Sequence, residues 1–150
     1  MSLLANLDND IKDAMRAKQM DKLNVLRMLK SAIKYASIEK HGADAEASDA
    51  EFMQVAQKEI KKRHDSVAAY EKIGKADAAD KERAEISIIK GYLPKELPPD
   101  EAKSLAKSCV EELGAKTKAD MGPVMKLARE KAAGRIDGKT LSHLVQELLK

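Results

Sequence analysis

The sequence contains few of the residues on which several classes of protein depend. Its 150 residues include one cysteine, Cys109, no tryptophan, three tyrosines and one phenylalanine. A single cysteine excludes a framework of disulfide bonds. No apolar run is long enough to span a bilayer, and the N-terminus resembles neither a cleavable signal nor a basic transit peptide. These absences predict a cytoplasmic protein that does not enter a membrane.

Residues that favour β-strands are also scarce. Threonine occurs only at Thr117 and Thr140, and no segment alternates apolar and polar residues for more than a few positions. A sheet needs β-branched and aromatic residues in such alternating runs. Alanine, leucine, lysine and glutamate, which favour helices, dominate instead. The composition therefore predicts an all-α fold.

Prolines divide the helical patterns into two groups. Three of the four prolines, Pro94, Pro98 and Pro99, lie within six residues of one another, and proline interrupts helices because it lacks a backbone N–H donor. Four helical patterns precede this stretch and three follow it. We therefore predict a larger N-terminal helical domain over residues 1–95 and a small three-helix domain over residues 96–150.

Polar residues whose side chains can accept hydrogen bonds from backbone N–H groups mark the expected helix starts. Ser48 and Glu51 have the spacing of a capping box, in which each side chain accepts from the backbone of the other residue. Four further residues are predicted to cap the first, second, fourth and last helices, namely Ser2, Asp21, Asp77 and Asp137.

The sequence offers little for catalysis or metal binding. The three histidines are far apart, and the one pair at helical ligand spacing, His143 with Glu147, lacks a third ligand nearby. Cys109 falls on the apolar face of its helical pattern, where a buried residue is expected. No glycine-rich phosphate loop, nucleophile elbow or dinucleotide fingerprint is present. We expect no catalytic residues, no metal site and no cofactor.

Positive charge is concentrated near the C-terminus. The whole chain has 28 Lys and Arg against 25 Asp and Glu, but residues 115–139 contain seven basic residues and three acidic ones. Helix starts in this segment would favour an anion through free N–H groups and the helix dipole. The candidate phosphate-binding residues are Lys116, Lys118, Lys126, Arg129, Arg135 and Lys139.

The turn between the last two helices has an alternative interpretation. Gly134 is a natural helix stop, and Asp137 can cap the next helix by itself. That cap would compete with a phosphate for the same N–H donors. The sequence leaves both interpretations open.

Two further groups of cations lie in the N-terminal half. Arg27, Lys30 and Lys34 share one flank of the second helix with His41, as a binding stripe or as a solvated surface. Arg63 lies four residues after Glu59 inside an otherwise apolar stripe. It either forms a partly covered ion pair or offers its guanidinium to a phosphate or a partner's carboxylate.

The sequence resembles a known family. The segments RMLKSAIKYASIEK, YLP, ADMGPVM and GRIDGK are similar to the YqeY family, whose domain also forms the tail of GatB, a subunit of the tRNA-dependent amidotransferase. The resemblance implies two all-α domains and, because the tail of that enzyme helps to hold tRNA, a role in binding tRNA. The amidotransferase chemistry belongs to other domains, which this chain does not resemble.

The sequence is compatible with three functions. The first is a non-catalytic protein that binds tRNA or other structured RNA through phosphates. The second is a helical adaptor for a protein partner, in which the basic charge only aids solubility. The third is a carbon-nitrogen ligase or related amidotransferase activity, which the lack of a nucleophile, base or metal cluster disfavours.

Overall fold

The computed structural model describes residues 2–149, and within that range the fold is all-α, as predicted, with no strand. The described residues form seven α-helices and one short 3₁₀ turn. These are α1 (Leu3–Arg16), α2 (Met20–His41), α3 (Asp49–Lys72), α4 (Ala76–Lys90), α5 (Pro99–Leu113), the 3₁₀ turn (Lys118–Asp120), α6 (Met121–Ala132) and α7 (Gly138–Leu148). None of these helices of residues 2–149 is both long and apolar enough to cross a membrane.

The chain divides into two compact units, one up to Leu93 and one from Pro94. In the N-terminal unit, α3 and α4 form the most extensive helix pair, and α2 packs on α1, α3 and α4. The core contains Phe52, the only phenylalanine, which is fully buried. Around it pack apolar side chains from the other helices of this unit, including Leu7, Leu26, Leu29, Ile33 and Ile89.

The C-terminal unit is a three-helix arrangement in which each of α5, α6 and α7 contacts the other two. Its core is small and contains no aromatic residue. Cys109, Val124 and Val145 are fully buried there, one from each helix. Gly114 ends α5 with a φ of 61°, a left-handed conformation that glycine adopts without steric cost.

The predicted helix starts are partly confirmed. Ser2 accepts from the N–H of Ala5 at 3.1 Å, and Ser48 and Glu51 form the expected capping box. Asp21 and Asp77 do not cap: α2 and α4 begin one residue before each of them, with Gln19 and Lys75 at the cap positions and no side-chain cap hydrogen bond. Both aspartates lie instead in the first turn, where a negative charge interacts favourably with the positive end of the helix dipole.

Candidate nucleic-acid interface

Two of the predicted phosphate-binding residues share the solvent face of α6. Lys126 and Arg129 are three residues apart and both are exposed, so their side chains emerge from adjacent turns of the helix. The opposite face is buried through Val124, Met125 and Ala128. Because that face fixes the orientation of the helix, Lys126 and Arg129 are held toward solvent. Glu130, on the same exposed face, is the nearest carboxylate in sequence.

Lys116 and Lys118 lie in the connection that leads into α6, and both are exposed. The connection is held by Asp120, whose Oδ2 accepts from the backbone N–H of Lys116 at 3.0 Å and of Thr117 at 3.3 Å. These two backbone hydrogen bonds lower the pKa of Asp120. The chain's own carboxylate therefore occupies the donors of this turn, and only the lysine side chains remain available to an external anion.

The turn before α7 is also closed by a carboxylate. Oδ2 of Asp137 accepts from the backbone N–H of Thr140 at 3.1 Å, so Asp137 is the N-cap of α7. Burial raises the pKa of Asp137, but hydrogen bonds from Thr140 and the backbone outweigh it, and the net shift is downward. This confirms the self-capping interpretation of the turn. Lys139 follows in the first turn of α7, exposed to solvent.

Arg135 has a structural role that the sequence did not predict. Its Nε donates to the carbonyl of Lys95 at 2.9 Å, and its own carbonyl accepts from the N–H of Leu97 at 2.8 Å. These two bonds attach the segment before α5 to the α6–α7 turn. Arg135 is half-buried, unlike its exposed neighbour Lys139. Its predicted role as a phosphate ligand is corrected in part, because one edge of the guanidinium already serves the fold.

The basic flank of α2 is only partly available. Arg27 and Lys34 are exposed and have no ion pair among residues 2–149. Nζ of Lys30 lies 2.5 Å from Oδ1 of Asp8 on α1, and Nε2 of His41 lies 2.9 Å from Oε2 of Glu51 on α3. Of the predicted binding stripe, only Arg27 and Lys34 remain available to a ligand.

The guanidinium of Arg63 is not accessible to a ligand, so its predicted place among the RNA-binding residues is corrected. Its side chain is 7% exposed, with Nη1 3.0 Å from Oε2 of Glu59 and Nε 3.3 Å from Oε2 of Glu85. Nη2 lies 3.2 Å from Sδ of Met28 on α2. The physical reason is burial with two carboxylates, which leaves the guanidinium no open side.

Sequence reasoning missed Glu82 and Glu85, the two acidic residues of α4 that lie near Arg63. Glu82 lies three residues after the buried Ala79 and four before the buried Ile86, so it interrupts the inward stripe of α4. Burial, followed by the nearby charge of Glu85, raises the pKa of Glu82. The same inspection of stripes that singled out Glu59 and Arg63 would have found Glu82.

Two further candidates for chemistry are Cys109 and His143. Cys109 is fully buried, and burial raises the pKa of its thiol, which opposes formation of the reactive thiolate. His143 is exposed. Across residues 2–149, no group of three or more His, Cys, Asp or Glu side chains is arranged to hold a metal ion.

Comparison with known proteins identifies the family. The family model described as Yqey-like protein matches residues 4–149. The chain belongs to this family. It is similar to a protein of Pyrenophora tritici-repentis named Altered inheritance of mitochondria protein 41, mitochondrial, with 30% identity over 98% of this chain and 81% of that protein.

Two further relatives of this YqeY chain are similar over shorter lengths. A protein of the same name from Lachancea thermotolerans is 36% identical over 60% of this chain and 47% of its own length. An uncharacterized protein of Schizosaccharomyces pombe is 28% identical over 62% of this chain and 73% of its own length.

The predicted cytoplasmic location is wrong on this comparison, because two of these relatives are named mitochondrial proteins. The prediction took the lack of a recognisable leader in the sequence as evidence of location.

Proposed function

We propose that this YqeY-family chain is a non-catalytic protein that binds tRNA or other structured RNA through the phosphate backbone. The binding surface comprises exposed cations of the C-terminal unit, namely Lys116, Lys118, Lys126, Arg129 and Lys139. The observation that supports it is the pair Lys126 and Arg129, directed to solvent by the packing of α6 and without an ion pair among residues 2–149.

Charges around this surface favour an external polyanion, because its five cations outnumber Glu130, the one carboxylate on the exposed face of α6. Asp120 and Asp137, the two acidic residues at the turns, are engaged by backbone N–H groups. Lys131, in contrast, pairs with Glu112 on α5 and is excluded from the surface. Cations without carboxylate partners bind nucleic acid by displacing the counterions condensed on the phosphates.

The composition of the C-terminal unit favours recognition of shape over recognition of bases. Residues 94–150 contain no phenylalanine, tyrosine or tryptophan, so the exposed imidazole of His143 is the one aromatic ring in this unit on which an unpaired base can stack. Lysine and arginine contacts to phosphates do not depend on sequence. We therefore expect affinity for folded RNA with little preference among sequences of similar shape.

The family resemblance and the relatives' names add two elements to the proposal. The similarity to the tail of the amidotransferase subunit favours tRNA among structured RNAs. The mitochondrial location printed in the names of two relatives is carried over to this chain. Amide-forming chemistry is not part of the proposal.

A matched pair of double variants tests the proposal. Binding of a transcribed tRNA is measured by filter retention at low salt for the wild type, for Lys126→Glu with Arg129→Glu, and for Lys103→Glu with Lys107→Glu. Lys103 and Lys107 are exposed on α5, so both variants change the net charge equally. We expect the α6 variant to bind at least about tenfold more weakly and the α5 variant to change much less. Equal losses would show that net charge alone is responsible.

A role as a protein-interaction adaptor is favoured by a different surface. On α2 of the N-terminal unit, Met28, Tyr35 and Ile38 are exposed apolar side chains. These residues are different from the cations of α6 and α7.

A further inference from the structure

Exposed apolar side chains are concentrated on α2. Of the eight large apolar residues that are exposed within residues 2–149, four lie on this helix, and Tyr35 is the most exposed of all at 67%. The others on α2 are Met20, Met28 and Ile38. Met28 is 43% exposed, although its Sδ lies 3.2 Å from Nη2 of the buried Arg63. Single exposed apolar residues are ordinary, but several on one helix face indicate an interaction surface.

The spacing of these residues gives α2 a second seam. Met28, Ser31, Tyr35 and Ile38 follow one another at intervals of three, four and three residues, which is the alternation of positions a and d in a coiled coil. The buried residues Leu26, Leu29 and Ile33 lie on the other side of the helix. Ser31 is small, which allows a second helix to approach closely between Met28 and Tyr35.

Positive charge borders this seam on one side. Arg27 and Lys34 directly precede Met28 and Tyr35, so both occupy position g of the same heptad pattern. Both are exposed, and neither has an ion pair among residues 2–149. Position g residues pair across a coiled coil with the residues that flank the partner's seam. The complementary partner therefore carries carboxylates at its flanking positions.

We propose that the solvent face of α2 binds an amphipathic helix of another protein whose apolar seam is flanked by Glu or Asp. A second copy of this chain fits poorly. In an antiparallel pair, Arg27 and Lys34 would face the same cations of the copy, and in a parallel pair they would face Ala32 and Glu39, which supply one carboxylate. RNA fits poorly as well, because Met28 and Ile38 offer nothing to phosphates.

Two designed peptides test the surface on the full chain. Both are helices of about 28 residues, or four heptads, with leucine along the seam, and they differ only in glutamate or lysine at the flanking positions. Binding is measured by fluorescence anisotropy. We expect the glutamate peptide to bind at least about tenfold more tightly than the lysine peptide, and Arg27→Glu with Lys34→Glu to reverse that preference.

A second variant pair tests the apolar seam. Tyr35→Ser with Ile38→Ser should weaken binding of the glutamate peptide by about tenfold or more. Ile73→Ser with Leu113→Ser removes two exposed apolar side chains elsewhere and should leave binding unchanged. Helix content measured by circular dichroism verifies that each variant is folded.

Four outcomes overturn the proposal. The first is that neither peptide binds, and the second is that charge reversal leaves the preference unchanged. The third is that Tyr35→Ser with Ile38→Ser abolishes binding of tRNA but not of the glutamate peptide, which makes the face a nucleic-acid surface. The fourth is a wild-type dimer in sedimentation that this variant dissociates, which makes the occupant a second copy.

Discussion

Arg63 on α3 donates from Nε to Oε2 of Glu85 on α4 at a distance of 3.3 Å, and the arginine side chain is only 7% exposed. Arg63 also binds Glu59 on its own helix at 3.0 Å. The pair of Arg63 and Glu85 therefore joins α3 and α4, the two helices with the most extensive packing in the N-terminal unit. A buried ion pair is costly to desolvate, but removing one member costs more because the other charge is left without a partner.

Truncation of Arg63 should strongly destabilise the N-terminal unit. We expect Arg63→Ala to lower the free energy of unfolding by about 3–5 kcal/mol, measured by urea denaturation. Arg83→Ala is the matched control, because Arg83 also joins the two helices, through Glu71 on α3 and through Asp80 on α4 at 2.8 Å, but is half-exposed. Its loss should cost about 1 kcal/mol or less. Similar costs for the two variants would contradict the importance of the buried cluster.

Glu82 should make stability depend on pH. Burial, with the adjacent Glu85, raises the pKa of Glu82 in the folded state. The folded state therefore binds the proton of the Glu82 carboxyl more tightly than the unfolded state does. The stability that this proton contributes is lost as the pH rises above 4.5, the ordinary pKa of a glutamate. Glu82→Gln should stabilise the protein at neutral pH relative to the wild type and reduce this dependence. A wild type that is more stable than the glutamine variant at neutral pH would contradict the assignment.

Asp137 should stabilise α7 through its cap. We expect Asp137→Ala to cost about 1 kcal/mol in the free energy of unfolding, because the N–H of Thr140 loses its acceptor. Asp137→Asn retains the cap and should cost much less. The pKa of Asp137 is lowered, so its ionic contribution is complete above the ordinary value of 3.8 and is lost as the pH falls below that value. Equal effects of Ala and Asn would show that the cap is unimportant.

Tyr92, two residues after the end of α4, connects this part of the chain to α1. Its hydroxyl donates to Oδ2 of Asp10 at 2.5 Å, and its ring lies 5.7 Å from that of Phe52. Burial and the hydrogen bond to Asp10 raise the pKa of Tyr92. Tyr92→Phe keeps the ring but removes the bond, so we expect a loss of about 1–2 kcal/mol on denaturation. The control is Tyr35→Phe, which alters an exposed hydroxyl and should have no measurable effect.

Features that depend on local sequence were predicted well. The capping box of Ser48 and Glu51 and the caps at Ser2 and Asp137 were recognised because both partners lie within three residues. Asp21 and Asp77 were misplaced by this reasoning. A carboxylate just inside a helix start also interacts favourably with the helix dipole, and composition does not distinguish this position from the cap.

Features that depend on distant contacts were not predicted. The partner of Arg63 on α4, Glu85, lies 22 residues away in sequence, and Arg135 binds the carbonyl of Lys95 across 40 residues. Helical spacing reports which residues share a face, but not which face of another helix they meet. The sequence therefore placed Arg63 and Arg135 among the RNA-binding residues, whereas the fold buries the guanidinium of Arg63 and engages Nε of Arg135.

The most direct measurement of the proposed function is the salt dependence of tRNA binding. If Lys126 and Arg129 contact phosphates, their reversal to glutamate should reduce the slope of log K against log salt by about two, because each lost contact removes about one unit. The Lys103→Glu and Lys107→Glu control should retain the wild-type slope. A wild-type protein whose tRNA affinity does not change with salt, or an α6 variant with an unchanged slope, would contradict phosphate binding by this surface.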